Sequence, residues 1–211
     1  MNHRRLSGAI THQEVRRLKI AAHEAARRRR PLDVLITIHP GRMIDPPDDP
    51  GLFFRLVVKK LGQWFRNNRH PWWGLWVREN YHGLGREHFH LLIHLPPRLH
   101  RKLRKALRRW WPDQGVVDLR EADDEALGYL LKQMTPQAMF ALKFLITREK
   151  ASRHDLAKVA AVLGKRVGMT SNLAKIVREL EVPLRSRPGS SSGCLQTRAN
   201  EDWRDEHDTN A

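Results

Sequence analysis

One cysteine occurs in 211 residues, Cys194, set among serines, glycines and charges. A disulfide framework needs cysteine pairs and a cysteine-rich zinc site needs several, so both are excluded. No window holds an 18-residue apolar run, and no basic helix carries a bulky apolar face, so a membrane is not an expected partner. The first residues, Met1-Asn2-His3-Arg4-Arg5, are basic with no apolar stretch behind them. No secretory signal is therefore expected, and the location expected is cytoplasmic. No Walker A pattern occurs, which argues against a fused helicase. Acidic residues are short beside basic ones: 23 Asp and Glu against 39 Lys and Arg, a formal net charge of +16. That excess is more than solubility requires and favours a polyanion, with nucleic acid first among them. Charge alone does not separate an enzyme from an architectural binder.

No internal repeat is present. Residues 1–30 read as a basic helical arm, with Val15, Leu18, Ala22 and Ala25 as a thin apolar stripe before Arg27-Arg28-Arg29-Arg30. A central domain is expected over 31–135, a basic helical extension over 136–185 and a low-complexity, disordered tail over 186–211. Within the centre, Asp33 to His39 is a β-branched run closed by Pro40-Gly41, a strand and a turn. Asp48-Asp49-Pro50 supplies an N-cap and a first-turn proline. The spacing then predicts a helix that buries Leu52, Phe53, Leu56, Val57, Leu61, Trp64 and Phe65. Strands over 72–80 and 87–95 flank a turn at 81–86 and form a hairpin. A helix over 98–111, a strand over 115–119 and a helix from Asp123 or Asp124 to about Met134 follow. Helices segregated from a hairpin-built sheet give an α+β fold.

The chemistry concentrates in His88-Phe89-His90. Residues two apart on a strand share a face, so His88 and His90 point the same way while Phe89, Leu91, Ile93 and Leu95 form an apolar opposite face. Two imidazoles at that spacing can converge on one divalent ion. With the turn centred between Gly83 and Leu84, opposed residues sum to 167 and Glu79 faces His88, within reach of the same ion. Such a set leaves positions open for water and substrate oxygens, and its nitrogens admit manganese as well as magnesium.

Tyrosine is scarce, with two in the chain: Tyr81 in the hairpin turn, and Tyr129. Leu127, Leu130, Leu131 and Met134 make the apolar stripe of the last helix, and Tyr129 falls nearly opposite, with Lys132 beside it. Gly128 would let a backbone or phosphate come close. A free phenol is a poor nucleophile at neutral pH, which a nearby cation and a metal-polarised phosphoryl group would remedy. Attack would leave a 5′-phosphotyrosine and a free 3′-hydroxyl, a bond energetic enough to be rejoined.

The helix over 98–111 bears Arg98, Arg101, Lys102, Arg104, Lys105, Arg108 and Arg109 with no acid. Its leucines would pin one side to the sheet and leave the charges for phosphates. Lys165 and Arg166 are further candidate DNA contacts. Residues 154–180, with Gly164 and Gly168, can alternatively be cast as a helix-turn-helix, the mark of a non-enzymatic DNA-binding protein.

In order and spacing these residues resemble the HUH endonucleases: rolling-circle replication initiators, relaxases and single-tyrosine transposases. Val34-Leu35-Ile36-Thr37-Ile38-His39-Pro40 looks like the family's first motif, His88-Phe89-His90 like its His-hydrophobic-His motif, and Tyr129 with Lys132 like its nucleophile motif. Histidines before tyrosine is the order of the replication initiators, and a relaxase carries its tyrosine near the N-terminus. The resemblance spans about residues 31–135. It implies an antiparallel sheet of about five strands flanked by helices, a Mg²⁺ or Mn²⁺ ion, and DNA, single-stranded or as an origin hairpin, as the substrate of a plasmid or phage initiator or of a transposase. The second tyrosine of some phage initiators is absent here. A His-x-His-x-His nucleotide hydrolase would need a third histidine at position 92, which is Leu92.

Overall fold

A computed structural model of the protein describes residues 6–80, 87–123, 125–131, 162–163 and 165–181. All of them fall within one compact unit, Met1–Glu181. The strands are β1 (Leu6–Ser7), β2 (Val34–Ile38), β3 (Gly74–Glu79), β4 (His88–Ile93), β5 (Val117–Glu121), β6 (Val162–Leu163) and β7 (Val167–Met169). The helices are α1 (His12–Arg27), α2 (Pro50–Asn67), α3 (Pro97–Trp110), α4 (Ala126–Leu130) and α5 (Ser171–Glu181), with a 3₁₀ turn at Pro40–Arg42. No helix among the described residues is long and apolar enough to cross a membrane.

Five strands form one antiparallel sheet in the order β5-β2-β4-β3-β7, and β1 pairs with β6 in a separate two-stranded piece. This is the expected α+β architecture. Strand alternation divides the side chains into two cores. On one face Val34, Ile36, Ile38, Phe89, Leu91 and Ile93 pack against α2 and α3. On the other, Leu35, Leu75, Val77, Leu92 and Val167 pack against α1, α4 and α5. A sheet buried on both faces explains why β2 is apolar at nearly every position rather than alternating.

Caps and packing set the elements as local chemistry dictates. Asp49 accepts a hydrogen bond from the Leu52 amide at 2.8 Å, and Pro50 opens α2. Thr11 and Glu14 close a capping box on α1. The last helix of the central domain begins at a Glu125 N-cap, one residue past the expected caps, and the Asp123 carboxylate accepts from the Glu125 amide. In α2 two expected core residues face solvent: Leu52 is 48 % and Leu56 50 % exposed. Phe54 takes their place, because at about 100° per residue Leu52 and Leu56 lie roughly 160° from it, on the far side. Phe54 rests on Phe89 (centroids 4.8 Å apart) and Trp76 (4.9 Å).

Residues expected as an arm and as an extension supply parts of the same core. Val15, Leu18, Ala21 and Ala25 of α1 and Leu173 and Val177 of α5 are buried in the cluster that holds Leu35 and Val77. The segment read as a possible helix-turn-helix forms strands over 162–163 and 167–169 before α5. Gly168 pairs with Trp76 in β7, where an added Cβ would stand 2.2 Å from the Trp76 ring. That glycine serves a close strand contact, not a turn between helices. Residues 81–86, 132–161 and 182–211, with the turn, Lys132, Met134, most of the expected extension and the tail, lie outside the described residues.

Candidate functional site

The β3–β4 register pairs Glu79 with His88 and Val77 with His90, each pair summing to 167 as the hairpin arithmetic requires. Strand alternation then places Glu79, His88 and His90 on one face. Glu79 Oε2 lies 3.0 Å from His88 Nε2 and 3.3 Å from His90 Nε2. One ligand atom from each residue falls within 4.8 Å of the others, so the three form a group able to hold a metal ion. The spacing fits: two donors about 2.1 Å from one ion and at right angles to each other stand about 3.0 Å apart. Two imidazole nitrogens and one carboxylate oxygen also leave half of an octahedral shell to water and substrate.

Burial makes this set demanding. Glu79 has no exposed surface and His90 has 1 %. A buried carboxylate must be compensated, and the two imidazoles supply the nearest polar groups. The Thr37 hydroxyl lies 3.0 Å from His90 Nδ1, a buried hydrogen bond across the β2–β4 pair. With Nδ1 engaged there, Nε2 is the nitrogen that faces Glu79 and a cation. His39, just past β2, stacks on His88 with centroids 5.1 Å apart and planes 25° from parallel. Burial, reinforced by the neighbouring His88, lowers the His39 pKa to about 4, so the ring is neutral at pH 7 and adds no charge beside a cation site.

Helix α4 brings the phenol to this group. Ala126, Leu130 and Leu131 anchor it in the core beside Leu35 and Leu92, and Tyr129 points the other way, 40 % exposed. The Tyr129 ring meets the His90 ring edge to face at 5.2 Å between centroids. Arg120 of β5 lies with its Cζ 5.7 Å from the Tyr129 centroid.

Of the expected DNA contacts, Arg98, Arg101, Lys102, Arg104, Lys105, Arg108 and Arg109 are all exposed on α3. Leu99, Leu103 and Leu107 seat that helix on the sheet face opposite the Glu79–His88–His90 group. A small cleft between α3 and the β5 edge is lined by Arg104, Arg108 and Asp118 among others. Lys165 is exposed, with its ammonium over the Trp76 ring. Arg166 is 0 % exposed, so its side chain is not on the surface with the other expected cations. It donates to the Arg78 carbonyl at 3.3 Å, and burial lowers its pKa, partly offset by Glu79 and Glu87. Arg78 in turn forms an ion pair with Glu87.

Sequence reasoning singled out Glu79, His88, His90 and Tyr129, and the structure brings all four together. It did not assign site roles to Thr37, His39 and Arg120. For Thr37 and His39 a signal was present, since residues 35, 37 and 39 share a strand face. For Arg120 there was none, because the pairing of β5 with β2 is a long-range choice.

No curated protein and no solved structure matches. Residues 44–138, just under half of the chain, match the family model of the ORF2-type replication-associated proteins. The matched segment contains Glu79, His88, His90 and Tyr129 and begins after Thr37. Over that segment the chain is similar to replication-associated proteins.

Proposed function

We propose that the protein nicks and rejoins single-stranded DNA through a 5′-phosphotyrosine at Tyr129, in the manner of an HUH endonuclease that initiates rolling-circle replication. The observation that carries this reading is the Tyr129 ring 5.2 Å from His90, a member of the Glu79–His88–His90 group. Nucleophile and cation site are adjacent although Tyr129 follows His90 by 39 positions in the chain. The similarity to replication-associated proteins supports a role at an origin, and the +16 charge supports a nucleic-acid substrate.

In this reading Glu79, His88 and His90 hold Mn²⁺ or Mg²⁺, which when bound polarises the scissile phosphoryl group. The chain's own residues do the rest. Thr37 fixes the His90 ring, His39 backs His88, and α4 holds the phenol at the rim of the site. The Tyr129 oxygen bonds to phosphorus as the bond to the 3′ oxygen breaks. The phenolic proton passes to solvent, and the departing 3′ oxygen takes one up. Reversal by a 3′-hydroxyl rejoins the strand.

The test is covalent attachment. Incubated with Mn²⁺ and single-stranded pools from candidate replicons, the wild type is expected to become linked to oligonucleotide, with the linkage mapped by peptide mass to Tyr129. Tyr129→Phe is expected to retain binding and lose attachment entirely. Attachment at the wild-type level in that variant, or a linkage at Tyr81, would refute the assignment, and a protein that binds DNA and never becomes linked would be a binder.

A further inference from the structure

We propose that Arg120 binds the scissile phosphate, its guanidinium taking a non-bridging oxygen of the group that Tyr129 attacks. This rests on the nicking reading above and adds a residue to it.

Arg120 lies on β5 opposite Leu35, and Asp118, two residues earlier on the same face, pairs with Thr37, the partner of His90. The sheet thus turns Arg120 toward the same side as the Glu79–His88–His90 group, at the edge strand where a DNA strand has access. Its Cζ stands 5.7 Å from the Tyr129 ring centroid, close enough for a cation–π contact that steadies the ring. The side chain is exposed, and the ion pairs formed among the described residues do not include it. A guanidinium has five N–H donors in a planar fork, and a ring contact uses none of them for an anion. The side chain that touches the phenol is therefore also the one equipped to take a phosphate bidentately.

The electrostatics call for such a group. The scissile phosphodiester carries one negative charge, and the Glu79 carboxylate lies beyond His90. During attack, negative charge is carried by the non-bridging oxygens while the bond to Tyr129 forms and the bond to the 3′ oxygen breaks. A fixed cation beside those oxygens stabilises that charge without giving or receiving a proton. The proton balance of the step is unchanged: one leaves the phenol to solvent, and one reaches the 3′ oxygen.

The experiment compares substrates as well as variants. Single-turnover attachment is measured with the full chain, Mn²⁺ and an oligonucleotide whose mapped nick-site phosphate is either a diester or one of the two methylphosphonate stereoisomers. On the diester, Arg120→Gln is expected to slow attachment about 100-fold, the scale of losing one preorganised donor, with Arg120→Lys between it and wild type. On the stereoisomer lacking the contacted oxygen, wild type and Arg120→Gln are expected to react alike. If neither methylphosphonate reacts, the same comparison is made by affinity in a Tyr129→Phe background. An equal loss on all substrates would overturn the proposal and leave nicking intact. A wild type that never becomes linked through Tyr129 would overturn both.

Discussion

At the scale of single residues, the hydroxyl of Thr37 matters for what it does to an imidazole. It is 3.0 Å from His90 Nδ1 in a buried setting, and it selects the nitrogen that faces Glu79. Thr37→Val keeps the shape and removes that partner. Affinity for Mn²⁺, measured by titration calorimetry, is expected to fall about 10- to 100-fold, the usual cost of losing an outer-shell hydrogen bond; an unchanged affinity would mean that the ring is oriented by packing alone. A second histidine sets a pH response away from the site. His70 packs against Phe65 and His94, and its pKa is lowered from 6.5 by burial, then by His94, Arg30 and Arg98, with Asp33 opposing. The unfolded chain therefore binds this proton more readily than the folded one. The contribution of His70 to stability is complete above pH 6.5 and is lost as pH falls through the lower folded value. Thermal melts of His70→Phe are expected to decline less than wild type as pH falls from about 7.5 to about 5, and parallel curves would remove the assignment.

At the scale of elements, α3 is amphipathic with an unusually clear division. Leu99, Leu103 and Leu107 are buried and seven cations are exposed. These cations sit on the sheet face opposite the Glu79–His88–His90 group, so a strand held by both passes around the β5 edge, where Arg104 and Arg108 line a cleft with Asp118. Arg101→Gln, Lys105→Gln and Arg108→Gln together are expected to weaken binding to all sequences alike. They should also flatten the slope of log affinity against log salt by up to about 0.7 per lost single-strand contact. Nick-site preference should survive. A slope that does not move would assign α3 to solvent and direct attention to Lys165 and its neighbours.

At the scale of the whole molecule, an ion that binds only the folded chain stabilises it. Glu79, His88 and His90 are joined by β3–β4 pairing and converge only when the sheet is formed. Saturating Mn²⁺ at about 100 times its dissociation constant is expected to add about 2.7 kcal/mol, visible as a rise in melting temperature that chelator reverses. His88→Ala with His90→Ala should abolish the rise. A rise of wild-type size in that double variant would place the ion elsewhere.

The sequence by itself determined what depends on short range. A strand period of two put His88 and His90 on one face, hairpin register put Glu79 opposite, and the apolar stripe of α4 turned Tyr129 outward. Each follows from local geometry with one solution. It also determined the charged face of α3, since leucines at three- and four-residue spacing leave few places for arginines. Tertiary structure alone decided which strands lie together. The order β5-β2-β4-β3-β7 brings Thr37 to His90, and Arg120 to the ring of Tyr129. It also decided which of two apolar faces of α2 is buried, so that Phe54 enters the core and Leu52 does not. Arg166 shows the same limit, since a cation beside Lys165 reads as surface until a neighbouring strand covers it. Sequence pattern fixes the face a residue takes on its own element, whereas what that face meets is set by non-local packing, which pattern does not encode.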